Sequence, residues 1–178
     1  MKQGYLLFHL NILFSSISEK DYPIVIEKCY WPILRLCERL NTPVNVELSK
    51  VTYDIINQID PLWIAKLHNL SKLNLVEIVQ CGYTQLIGPL VPEKLLRANI
   101  CNGIDTGKKI NTFLVNEMAL DFKTLKSYRE LGVDRIIFEE ESIARSRNCL
   151  PRDMTWSGKL RIDSGRPQSI VWSSSMLF

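Results

Sequence analysis

Carboxylates placed where apolar segments end are the residues of this chain best suited to chemistry. Glu47 closes Val44-Asn45-Val46, Glu117 follows Phe113-Leu114-Val115-Asn116, and Glu139 begins a run of three glutamates after Ile136-Ile137-Phe138. His9 and Asn11 lie at the end of a first apolar run, and Tyr83 and Gln85 lie between Gly82 and Gly88 after a third. Substitution at a sugar carbon with retained configuration needs one carboxylate as nucleophile and a second as general acid, about 5–5.5 Å apart. Carboxylates without histidine clusters fit that chemistry. A metal-dependent deacetylase would want two histidines on one helix face plus an aspartate. The two histidines here, His9 and His68, are widely separated, and His68 falls in a helical stretch as a surface or packing residue. Strand ends are commonly polar, so no single position carries function. The candidate is the set converging on one end of a sheet.

The elements that must position these residues follow from hydrophobic periodicity. Short apolar runs predict strands at 5–10, 43–48, 75–80, 111–116 and 133–138, with a sixth at 169–172. Helical spacing fills the intervals. A helix at 22–40 starts near Asp21 and Pro23 and should kink or break at Pro32. Residues 51–72 read as two helical pieces around Asp60-Pro61. Pro92 opens a helix to about Lys108, at a position where proline is tolerated. A short helix at 121–131 is closed by Gly132. Residues 142–167 read as polar and irregular. The crossovers are long enough to make every strand parallel. No G-x-G-x-x-G follows the first strand, which weakens a dinucleotide-binding sheet. The fold expected is α/β, an incomplete barrel of parallel strands in one domain over 1–178, cut short at its C-terminal end.

Composition excludes several classes. Of 178 residues, 46% are hydrophobic and 23% charged, which fits a folded globular chain. A net charge of +3 is spread without a long basic run, so neither nucleic acid nor a membrane surface is favoured as partner. Cys29, Cys37, Cys81, Cys101 and Cys149 are odd in number and lack C-x-x-C spacing. That argues against a disulfide framework or zinc site and for a reducing cytoplasm. Cys29 and Cys37, eight apart in a helical pattern, are expected in the core. The apolar run from Tyr5 to Phe14 is interrupted by His9 and Asn11 and lacks a cleavage signal, so it reads as a strand rather than a leader. Trp31 and Trp63 fall within helices as core residues; Tyr83 is placed to stack on a sugar ring.

Four stretches resemble glycoside hydrolase family 57, and more closely its polysaccharide-deacetylase-like branch. They are Phe-His-Leu-Asn (8–11), Val-Glu-Leu-Ser (46–49), Cys-Gly-Tyr-Thr-Gln-Leu-Ile-Gly-Pro-Leu-Val-Pro (81–92) and Leu-Val-Asn-Glu-Met-Ala (114–119). The resemblance implies a (β/α)7 barrel, a retaining hydrolase or 4-α-glucanotransferase acting on α-glucan, and no cofactor. It implies Glu117 as nucleophile and His9 as a sugar contact; by their position at strand ends and in the loop after the third strand, Asn11, Glu47, Tyr83, Gln85, Asn116 and Glu139 are further substrate-binding candidates. Gln85 stands where some members carry a glutamate, and His9 is followed by Leu10-Asn11 where the family usually has Gln-Pro. The family's general acid, an aspartate, lies in a motif expected beyond Phe178. Asp153 and Asp163 match it by residue type alone. The chain by itself is therefore expected to turn over little substrate. A non-catalytic carbohydrate-binding barrel is the alternative, and a deacetylase ranks below both.

Overall fold

The computed structural model describes residues 6–13, 16–104 and 112–138, together with the backbone of 156–159 and 170–173. The chain divides into two compact units, residues 1–79 and 80–178. The strands lie in one sheet in the order Leu7–Leu10, Val44–Leu48, Val76–Gln80, Thr112–Leu114, Arg135–Phe138, Ile170–Ser173 and Trp156–Lys159.

The first unit begins with β1 (Leu7–Leu10), paired in parallel with β2 (Val44–Leu48). All five residues of β2 are buried, as a parallel strand covered on both faces requires. Between them lies the helical segment expected at 22–40. It consists of α1 (Tyr22–Val25), a π-helical turn at Ile26–Tyr30 and α2 (Trp31–Leu40). Pro32 falls inside this continuous helical run, directly after the π-helical turn, so the expected break is absent although the proline supplies no N–H to the ladder. The hydrogen-bond ladder widens just before the proline instead of breaking. That wider turn changes the facing of Cys29 relative to Cys37. Cys37 is buried and its Sγ donates to the Leu75 carbonyl at 3.1 Å, as a core cysteine should. Cys29 is exposed, contrary to expectation.

The predicted break at Asp60-Pro61 is present. It separates α3 (Lys50–Ile59) from α4 (Pro61–Lys72). Ser49 caps α3 by accepting from the Thr52 amide, and Asp60 caps α4 by accepting from the Trp63 amide. Asp60 also accepts from Trp31 Nε1 at 2.7 Å. Trp63 is fully buried, whereas Trp31 is half-buried with Arg35 over its ring. β3 (Val76–Gln80) follows and crosses the boundary between the units.

The second unit holds α5 (Glu93–Cys101), β4 (Thr112–Leu114), α6 (Phe122–Glu130) and β5 (Arg135–Phe138). Gln80 of β3 pairs in parallel with Phe113, and β4 pairs in parallel with β5. Leu96, Phe113, Leu125, Tyr128, Ile136 and Phe138 belong to one buried cluster that joins helices to strands. α5 ends at Cys101, earlier than Lys108; Asn102 N bonds back to the Ala98 carbonyl there. β4 is shorter than expected because the chain turns away at Asn116.

The α/β class and the parallel pairing hold through β5. Beyond it the expectation of all-parallel strands fails. β7 (Ile170–Ser173) runs antiparallel to β5, and β6 (Trp156–Lys159) runs antiparallel to β7. β6 lies inside the stretch expected to be irregular. Its sequence, Trp-Ser-Gly-Lys, has no apolar run, so it is a strand through pairing with β7 rather than through its own propensity.

Candidate functional site

In the first unit, the parallel register sets His9 of β1 directly beside Glu47 of β2. Laterally paired residues face the same side of a parallel sheet, so both side chains meet. His9 Nδ1 and Glu47 Oε2 are hydrogen-bonded. The burial is unequal: the His9 side chain is 46% exposed and that of Glu47 is 0% exposed. Glu47 Oε1 has no partner among the described residues. Immediately after β1, Asn11 is half-buried, and its Oδ1 is a second buried acceptor without a partner among the described residues. The ends of these two strands thus carry two buried acceptor oxygens, Glu47 Oε1 and Asn11 Oδ1, without partners among the described residues.

In the second unit, residues 81–86 form a loop held by two buried asparagines. Asn99 of α5 accepts at Oδ1 from the Thr84 amide (2.8 Å) and hydroxyl (3.2 Å), and donates from Nδ2 to the Thr84 carbonyl (3.1 Å). Asn116 donates from Nδ2 to the carbonyls of Cys81 (3.0 Å) and Leu86 (3.1 Å). Gly82 is required at the start of the loop: its φ is +96°, and a Cβ there would lie 2.3 Å from Asn99 Nδ2. The loop carries Tyr83, 44% exposed, and half-buried Gln85. A tied loop keeps an exposed aromatic face in place without ordering on ligand arrival. The Asn99 clamp left only a faint trace in the sequence, as an asparagine inside a helix where that residue is disfavoured.

Glu117 follows Asn116 in a 3-10 turn at the C-terminal end of β4, the end at which parallel β/α folds place their ligands. Its φ and ψ are +53° and +20°, and Met118 also has a left-handed φ of +52°. For non-glycine residues this conformation costs roughly 1–2 kcal/mol each. It persists because the turn is closed by Met118 N to Val115 O and Ala119 N to Asn116 O, while the Asn116 side chain is anchored in the loop. The result is an exposed carboxylate on a backbone that cannot relax easily.

The structure therefore brings His9 and Glu47 together, and separately joins Asn116 to the loop of Tyr83 and Gln85. Asn116 is 7% exposed and both amide hydrogens are used internally. Glu139 lies outside the described residues, as do Asp153 and Asp163. His68 is a packing residue: its Nε2 meets the Tyr53 hydroxyl at 2.9 Å, and burial, then Lys72, lowers its pKa. Among the described residues, no three His, Cys, Asp or Glu side chains are grouped to hold a metal ion. Nor is any described helix long and apolar enough to cross a membrane.

Residues 7–166 match the model of glycosyl hydrolase family 57. No curated protein matches the chain. Among solved structures, the chain resembles the crystal structure of a 4-alpha-glucanotransferase from Thermococcus litoralis, with a TM-score of 0.70 and 17% identity. The likeness covers 94% of this chain and 26% of that one, so this chain spans little more than a quarter of its neighbour's length. At that identity the likeness concerns the fold.

Proposed function

From the premise that this chain belongs to glycosyl hydrolase family 57, we propose that it is the nucleophile-bearing, N-terminal barrel portion of a carbohydrate-active enzyme, a retaining α-glucan hydrolase or 4-α-glucanotransferase. The observation that carries this reading is the exposed Glu117 carboxylate on its left-handed turn at the end of β4. A fixed carboxylate suits attack on an anomeric carbon, because misplacement of a reacting group by about 1 Å can cost on the order of a hundredfold in rate. The attack forms a glycosyl ester and expels the leaving oxygen, which a general acid must protonate. In this reading that acid comes from a part of the enzyme that this chain does not supply, and the chain alone turns over little natural substrate. Tyr83 offers a stacking face, and His9, Asn11, Gln85 and Glu139 bind sugar hydroxyls. The four motif stretches favour the polysaccharide-deacetylase-like branch, and unpatterned cysteines favour the cytoplasm.

The test separates nucleophile from acid. Fluoride leaves from 5-fluoro-α-D-glucosyl fluoride without strong protonation, and the ring fluorine slows release of the ester. The C–F bond breaks, the Glu117 carboxylate oxygen bonds to the anomeric carbon, and fluoride departs. The expected result is one added glycosyl group by intact mass, mapped to Glu117 and absent from Glu117→Gln. Binding of maltotriose with no ester formed would instead support the non-catalytic binding barrel.

A further inference from the structure

Glu47 is a poor choice for stability. Its side chain is 0% exposed, one oxygen meets only the His9 ring, and the other has no partner among the described residues. Withdrawing a carboxylate from water is costly unless its oxygens are well satisfied, and replacing such a group by an apolar side chain is often neutral or stabilising. The flanking Val46 and Leu48 are fully buried, so an apolar residue at 47 would suit this strand. Its burial also leaves Glu47 no surface to offer a solute. Whatever it contributes to a ligand passes through His9, which is half-exposed and lies beside it in register.

We propose that Glu47 is a positioning residue for His9: its buried carboxylate fixes the imidazole with the proton on Nδ1, so the ring is oriented before a sugar hydroxyl reaches it. The sugar belongs to the function proposed above; the pairing of the two residues does not depend on it. A carboxylate behind an imidazole sets both ring orientation and tautomer, since the nitrogen facing it must donate. In water the neutral ring prefers the other tautomer, so the pair leaves a spectroscopic signature. Held rotamers of this kind lower the ordering needed on binding.

The experiment uses the whole chain as wild type, Glu47→Leu and Glu47→Gln. Long-range 1H–15N spectra should show His9 protonated at Nδ1 in the wild type. Glu47→Leu should lose that signature, and Glu47→Gln, which keeps a carbonyl acceptor, should largely restore it. The thermal midpoint of Glu47→Leu should be unchanged or higher, because the partner left behind is half-exposed and no buried charge is stranded. Maltotriose affinity should fall at least tenfold in Glu47→Leu and recover in Glu47→Gln. A His9 tautomer that is the same in wild type and Glu47→Leu would overturn the proposal. So would a Glu47→Leu variant that melts several degrees lower with His9 unaltered, since that marks a purely structural role. A wild type that shows the Nδ1 signature and ignores maltotriose would overturn the glucan assignment and uphold the pair.

Discussion

Replacing Asn116 by alanine removes two hydrogen bonds, to Cys81 O and Leu86 O, from a residue that is 7% exposed. Each such bond contributes about 0.5–1.5 kcal/mol net, so the pair is worth about 2 kcal/mol. For a domain of this size, 1 kcal/mol moves the thermal midpoint by roughly 2–4 °C, and Asn116→Ala should melt about 4–8 °C lower. Asn116→Asp sharpens the test. An ionised aspartate is acceptor-only, and it would face two carbonyl oxygens where the amide donated to both. It should therefore be worse than alanine, although it is closer in shape. The assay is denaturant unfolding of both variants, with constant slope as evidence that the folded state is otherwise retained. Release of the anchor should also let the Glu117 turn relax, so labelling by the glucosyl fluoride should slow even under conditions where the variant is folded. Equal stability of wild type and Asn116→Asp would refute the anchoring role and return Asn116 to consideration as a direct sugar contact.

Gly82→Ala should destabilise by about 1–3 kcal/mol, because it combines a left-handed backbone with a Cβ placed 2.3 Å from Asn99 Nδ2; a midpoint within a degree of wild type would contradict the clamp geometry. His68 has its folded pKa lowered by burial, so the unfolded chain binds protons more readily. Its contribution is present above the ordinary histidine value of about 6.5 and is lost as pH falls below it. Thermal midpoints measured from pH 7.5 to 5.5 should decline less in His68→Gln than in wild type, and identical slopes would show that His68 does not drive the loss.

Local sequence determined the parts of this protein whose physics is local. Apolar runs placed β1 to β5 and β7 within two residues at each end; for β2 the reason is that a strand buried on both faces must be apolar almost throughout. Asp60-Pro61 marked a helix break, since aspartate caps and proline begins a helix without losing a bond. Glutamates at the ends of apolar runs mark positions 47 and 117 in the sequence itself. Tertiary structure alone decided what those residues touch. His9 and Glu47 are 38 residues apart, and only the β1–β2 register makes them neighbours. The loop of Tyr83 is held from α5 and from the end of β4, at separations of 15 to 35 residues. The left-handed turn at Glu117 contradicts the preference of glutamate, so no propensity could announce it; closure of the turn and the Asn116 anchor hold it. β6 likewise exists through its ladder with β7. In each case the deciding energy is a contact between distant segments, and residue type constrains such a contact without specifying its partner.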